Sequence, residues 1–373
     1  MKLTRISILF TSCLCLLLGC ASTSHSGRIT AQGEIGRDKI SSEVDSEIAR
    51  YFIEEYLPAK KSNPQLDAKI SSILGELEKT PLSNERLKEI ADQTSLDFGA
   101  MLFAHLQTKR NLKIKNAFIT QYDLVKQGKL HLKEATQRYR IVLVPGLFYR
   151  SKPETKGDLR EVKQVLEEAG FEVVSVPILE AGSVEENAAI IADFIKNESV
   201  QDKKLILVST SKGGPDTLYA LGALLDQESA KKVSLWFSVG GALRGSYLAD
   251  LWSKWPRSWL ASVIGVFQGF SISMVRSLSV EESKKRLEKI KIPNHIRVVH
   301  FVGVPLSGTV SDEVKGGYKE LQSCGPNDGI TLLSDEILDG SSVITALGLD
   351  HWYRDPDLKR KILALVATVT VSH

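Results

Sequence analysis

The chain has 373 residues, more than one average domain and fewer than three. Hydrophobic residues make up 43% and charged residues 25%, which excludes a disordered or low-complexity chain. The net charge is +3, and no basic patch or nucleic-acid motif accompanies it, which sets nucleic acid aside as a partner.

The first elements in chain order are not part of a fold. MKLTRISILFTSCLCLLLGC has a basic start and an apolar stretch from Ile6 to Leu18. That stretch is short for a membrane span and reads as a signal peptide over residues 1–19. It closes on Leu17-Leu18-Gly19-Cys20, which resembles a bacterial lipobox. The resemblance implies cleavage before Cys20 and lipidation of its sulfur, so that the chain is a membrane-anchored lipoprotein of the cell envelope. The plainer alternative is an ordinary signal peptide that happens to contain a cysteine. Two or three acyl chains anchor stably where one does not. Ala21, rather than an aspartate, follows the cysteine, which points to the outer membrane facing the periplasm. Cys13 and Cys15 leave with the signal, Cys20 is blocked, and Cys324 has no intramolecular partner. No disulfide framework is expected, and the core must hold the fold together.

Residues 20–38 are small and polar without an apolar period, and read as a lipidated tether. Residues 39–138 read as a helical N-terminal module packed on the main domain. EIARYFIEEYL, LDAKISSILGELE and SNERLKEIADQ carry apolar residues three and four apart. Thr94 to Asp97 resembles a capping box ahead of FGAMLFAHLQ.

From residue 139 to 373 strands and helices alternate. YRIVLVPGLF is a β-branched run ending at Pro145-Gly146. GDLREVKQVLEEAG follows as a helix, with Asp158 placed to cap it and Gly170 to end it. FEVVSVP is a strand. Ser183 and Glu186 form a capping box for VEENAAIIADFIKN. KLILVS, a helix from about Gly214, and the strand KKVSLWFSVG complete the run. Short apolar strands spaced by helices predict a mostly parallel sheet with helices on both faces. Residues 245–290 interrupt it and read as a helical cap or lid. Trp252, Trp255 and Trp259 there suit either acyl chains, a membrane surface, or packing of the cap onto the body. HIRVVHFVGVP, the loop GPNDGITLL, the strand SSVITALG and a C-terminal helix DLKRKILALVATV follow.

In KLILVSTSKGG a buried strand turns at once into a helix at Ser211. Such a turn strains the residue at its apex and needs small neighbours two positions before and after. The pattern here is Ser209-Thr210-Ser211-Lys212-Gly213, with serine in place of the first glycine. Ser211 would project from the carboxyl edge of the sheet, where open α/β sheets bind ligands. The alternative is a plain strand–helix loop. A serine hydroxyl needs a base. Of seven histidines only His351 follows a final strand and precedes a helix. His295 and His300 suit packing. The orienting acid belongs on the loop after the penultimate strand, where Asp328 fits and Asp312 and Asp335 are rivals. Asp350 adjoins His351 and is badly placed to bond its ring. Oxyanion donors are expected from the backbone N–H of Lys212 and of Leu147. The Lys212 side chain is either solvated or set to meet a substrate carboxylate.

With these residues in place, the chain from about 139 onward resembles the α/β-hydrolase fold, and its bacterial lipase branch in particular. VPGLF resembles the oxyanion loop, STSKGG the elbow, GPNDGI the acid loop and GGALRGSYLADLW the segment before the lid. The resemblance implies a serine hydrolase cleaving acyl esters or lipids through Ser211, Asp328 and His351. Three residues depart from the branch. Pro145 stands where many of its lipases have histidine, Ser209 replaces glycine, and Tyr353 replaces the aspartate of a calcium site. Neither a metal nor another cofactor is implied. An acyltransferase on envelope lipids and a non-catalytic lipoprotein using the fold for binding are the alternatives.

Overall fold

A computed structural model describes residues 29–199, 202–253 and 271–371. The signal peptide, Cys20 and the tryptophans at 255 and 259 lie outside the described residues, as does the Trp252 side chain. The centre is a six-stranded sheet of β3 (Tyr139–Val144), β4 (Glu172–Ser175), β5 (Lys204–Thr210), β6 (Val233–Val239), β7 (Arg297–Val304) and β8 (Ser342–Leu347). The order is β4-β3-β5-β6-β7-β8, and every neighbouring pair is parallel. Continuous apolar strands of this kind need cover on both faces.

Alternation along each strand divides the cover. Ile206 and Val208 of β5 face α7 (Arg160–Glu168) and α15 (Leu358–Thr370), packing with Leu166, Ile362 and Val366. Leu205 and Leu207 face α8 (Val184–Asn197) and α9 (Gly213–Tyr219), with Ile191 and Leu218. The chain leaves β3 towards one edge and returns to add β5 on its other side. The carboxyl ends of β3 and β5 therefore flank the switch point, where the flanking loops diverge and open a crevice.

The Ser183–Glu186 capping box forms, and Gly170 ends α7 at φ +93°. Asp158 accepts from the Arg160 amide, but the residue before the helix is Leu159 at φ +54°.

The N-terminal part differs from its sequence reading. Residues 29–44, read as the end of a tether and the start of a helix, form an antiparallel hairpin of β1 (Ile29–Ile35) and β2 (Asp38–Val44). Gly36 and Arg37 both have positive φ, the turn that matches strand twist. The pattern is weakened because two inward positions of β1 are small: Ala31 is buried, and a Cβ on Gly33 would lie 2.6 Å from Ile53 Cγ1.

The helices α1 (Glu47–Tyr51), α2 (Pro64–Leu77), α3 (Asn84–Gln93), α4 (Leu96–Arg110), α5 (Leu112–Lys126) and α6 (Lys133–Arg138) follow. Two of them are layers of the sandwich itself. Phe98, Met101 and Leu102 of α4 share a core with Val302 and Val304 of β7 and Val343 of β8. On the opposite face α5 packs along α15. Ser95, not Thr94, caps α4, accepting from the Phe98 amide. Asp97 turns instead to the backbone N–H groups of Asp45 and Ser307.

The short helix α10 (Gln227–Ala230) leads into β6. The described part of the insertion comprises α11 (Tyr247–Ser253), α12 (Ile272–Ser277) and α13 (Val280–Leu287). It sits against α8, where Val184 N donates to Ser277 Oγ at 3.1 Å. The last of the other helices, α14 (Lys315–Leu321), lies between β7 and the Asp328 loop.

Candidate active site

Ser211 lies between β5 and α9 with φ +51°, a left-handed conformation that a serine adopts only when its surroundings impose it. The Ser211 amide donates to Val239 O, and Ser211 O accepts from the Gly214 amide. Gly213 passes so close to β3 that a Cβ there would lie 2.5 Å from Pro145 O and 2.8 Å from Val144 O. Gly214 lies equally close to Gly241, 2.8 Å from its Cα by the same construction. The departure at Ser209 has a physical reason. Its buried Oγ accepts from Trp236 Nε1 at 2.8 Å, satisfying an indole that glycine would orphan.

Above this turn the loops after β7 and β8 converge. His351 Nε2 lies 2.9 Å from Ser211 Oγ, and His351 Nδ1 lies 2.5 Å from Asp328 Oδ2. The two loops are also tied through backbone, since His351 N donates to Asp328 O at 3.0 Å. Asp328 Oδ1 accepts from the amides of Ile330 (2.9 Å) and Thr331 (2.7 Å), which fixes the carboxylate plane. Asp328 is fully buried, and the His351 side chain is 12% exposed. Burial alone would lower the His351 pKa. The Asp328 charge and hydrogen bond, aided by Asp350, outweigh it and raise the imidazole above its ordinary 6.5.

The structure thus brings together the three side chains singled out in the sequence. It does not bring in the rivals. Asp312 is exposed and pairs with Lys315, while Asp335 accepts from Asn84 Nδ2. Asp350 accepts from the amides of Ser311 and Trp352. His300 is buried beside Trp236 and accepts from the Leu338 amide, and His295 meets Ala230 O. Tyr353 donates to Phe301 O and accepts from the Gly303 amide, bracing the end of β7 beneath the His351 loop.

Leu147 follows β3 and Lys212 follows β5, the two strands that flank the switch point. Among the described residues neither amide N–H donates to a protein acceptor. The Leu147 loop is held from behind: the Gly146 amide donates to Gly157 O at 2.8 Å, and Ser151 N to Glu180 Oε1 at 2.6 Å. The Lys212 side chain corrects the sequence reading, which had it solvated or facing substrate. It is 4% exposed and turns inward, Nζ lying 2.9 and 2.8 Å from the two Asp216 oxygens. Asn187 completes the pair at 2.9 Å from Asp216 Oδ2. Burial pushes Asp216 up to about 6, against the pull of Lys212 and Asn187. Sequence pattern at i and i+4 on a helix permits this pair, but only the burial of both ends makes it structural.

One acid was not singled out in the sequence. Glu336 is buried, and neither of its oxygens has a hydrogen-bond donor among the described residues. Burial, then the neighbouring Asp328 and Asp335, hold its carboxyl well above the ordinary value. Burial beside Asp328 thus favours the protonated form of Glu336, which does not repel the Asp328 carboxylate. In sequence it reads as a polar loop residue.

A cavity of about 1020 Å³ opens at Gly146, Leu147, Ser211 and His351, and its lining is largely apolar. An unpaired pair of N–H groups, a hydroxyl hydrogen-bonded to an imidazole and a buried carboxylate behind it form an arrangement able to run acyl transfer.

No protein-family model matches the sequence, and no curated protein matches it. Solved structures do. A metagenomic carboxyl esterase superposes with a TM-score of 0.52 at 20% identity, covering 62% of this chain and 75% of its own. A Bacillus licheniformis lipase in its propeptide form superposes with a TM-score of 0.50 at 24% identity, covering 58% of this chain and 47% of its own. With the parallel sheet, its helical layers and the turn at Ser211 already described, this decides the architecture. The chain has the α/β-hydrolase fold. Within the α/β-hydrolase sandwich this chain uses its own N-terminal helices α4 and α5 as layers.

Proposed function

We propose that the protein is a serine hydrolase of carboxylic esters. The observation that carries the reading is the chain of hydrogen bonds from Ser211 Oγ through His351 to Asp328 at the mouth of an apolar cavity. In this mechanism His351 Nε2 takes the proton as Ser211 Oγ attacks the ester carbonyl. The oxyanion develops against the Leu147 and Lys212 amides, in a place where they need no reorganisation. The protonated imidazole is stabilised by Asp328 and gives its proton to the leaving alkoxide. Water then enters, His351 acts again as base, and the acyl-enzyme is hydrolysed. Esters are favoured as the bond type by the named activities of the solved neighbours, carboxyl esterase and lipase.

The same reading includes anchoring to the bacterial envelope through lipidated Cys20, on the outer membrane facing the periplasm. The test of the chemistry is a fluorophosphonate probe on the whole chain. Labelling of the wild type that is lost in Ser211→Ala supports the hydrolase, and no labelling of the folded wild type refutes it. The test of anchoring is metabolic labelling with a palmitate analogue, which Cys20→Ala must abolish.

A further inference from the structure

Among the described residues, those lining the cavity at Ser211 include none of the insertion. From Leu147 and Ser211 the cavity continues between the sheet and the helices α7 and α15. Its walls there are Val162 and Leu166 of α7, Ile362 and Leu365 of α15, and Val208 and Phe237 from the strands beneath. The described insertion helices lie on the other side of the site, against α8, with Leu147 packed on Met274 and Val184 between the two regions. We infer that this arm between α7 and α15 holds the acyl chain of the substrate, and that the substrates are esters of medium to long fatty acids.

The inference rests on the hydrolase reading above and adds the location and the class of acyl group. Three features support that occupant. The arm is continuous with the Ser211 hydroxyl, to which an acyl group becomes covalently attached. Its inner walls are supplied by apolar side chains, while charged residues such as Lys152, Glu161 and Lys361 line the rest of the cavity, whose whole volume of about 1020 Å³ is at the upper end of the roughly 300–1,000 Å³ typical of small-molecule sites. Apolar walls reward each methylene removed from water, about 0.8 kcal/mol or roughly fourfold per CH₂. A polar or short acyl group would leave most of the arm unfilled and gain none of this.

Val162 and Leu365 are only half-buried, so a larger side chain fits there with the least disturbance to the core. The experiment measures kcat/KM for p-nitrophenyl esters from four to sixteen carbons with the full chain, Val162→Trp and Leu365→Trp. The leaving group is constant, and only the acyl chain varies. In the wild type the twelve-carbon ester is expected to exceed the four-carbon ester. In each variant the ratio of the two is expected to fall at least tenfold. Dodecanoate should inhibit the wild type competitively and Leu365→Trp at least tenfold more weakly. A ratio unchanged in folded variants overturns the inference. So does a wild-type preference that follows alcohol length in a series of acetate esters, a result that does not depend on either variant folding. Fluorophosphonate labelling separates the two levels. Labelled Ser211 with no acyl-length preference overturns the arm alone, whereas an unlabelled wild type overturns the hydrolase reading and the arm with it.

Discussion

Asp328→Asn changes one atom and, under the proposed mechanism, inverts the imidazole. Asp328 Oδ1 accepts from two backbone amides, Ile330 and Thr331, at 2.9 and 2.7 Å. An asparagine in this place must keep its carbonyl oxygen on those donors, since its NH₂ would clash with both. The NH₂ is then aimed at His351 Nδ1, which lies 2.5 Å from the other carboxylate oxygen. A donor facing Nδ1 forces that nitrogen to accept, so the proton moves to Nε2, the atom 2.9 Å from Ser211 Oγ. The base has lost its lone pair where it is needed. A wrong tautomer in an intact geometry costs about 10⁴-fold in kcat. KM for a short ester should change little, because no substrate contact is removed. The pH profile must move as well. Losing the Asp328 charge leaves burial as the larger influence on His351, so the imidazole pKa falls below its ordinary 6.5 instead of lying above it. The assay is steady-state hydrolysis of p-nitrophenyl butyrate from pH 5 to 9, with unfolding curves to show that the variant is folded. An Asp328→Asn enzyme that keeps more than a tenth of wild-type kcat would refute the assignment of Asp328 as the orienting acid.

In the wild type the same raised imidazole pKa puts the acid limb of kcat/KM above pH 6.5, because only neutral His351 can accept the serine proton; a limb centred below that value contradicts it. Gly213→Ala places a Cβ 2.5 Å from Pro145 O, so the elbow and the β3 loop must separate by roughly 0.9 Å to reach ordinary contact. A displacement of about 1 Å at reacting groups costs on the order of 100-fold, to be read in kcat with fluorophosphonate labelling slowed in parallel. Lys212→Met leaves the Asp216 carboxylate buried without its partner, and chemical denaturation should show a loss of about 3–5 kcal/mol. Burial pushes Asp335 up to about 7, against the Asn84 hydrogen bond. Its folded pKa exceeds the ordinary carboxyl value of 3.8, so its contribution to stability falls as pH rises from about 4 to about 7. Asp335→Asn keeps the acceptor for Asn84 and should flatten the stability slope in that window by up to about 1.4 kcal/mol per pH unit, measured by urea unfolding.

The sequence determined whatever depends on neighbours along the chain. Apolar runs of β3 to β8, separated by helical faces and by signals such as Ser183–Glu186 and Gly170, specify a parallel sheet with two helical layers. A serine between a strand and a helix, with Gly213 behind it, specifies the strained turn. The order serine, aspartate, histidine on successive loops nominated the residues that the fold then brought within bonding distance. Other features depend on contacts distant in sequence, and no local pattern contains them. The hairpin of residues 29–44 is hard to read because Ala31 and Gly33 occupy two of the inward positions of β1, and the role of Gly33 is visible only when Ile53 lies against it. Lys212 looks like a surface residue until Asp216 and Asn187 enclose it. Glu336 has no periodicity to mark it; its raised pKa is a product of burial beside Asp328. The reach of the cavity towards α7 and α15 is a matter of which side chains leave space between a sheet and two helices. Periodicity fixes which face of an element is buried, and only packing fixes how completely that face is filled.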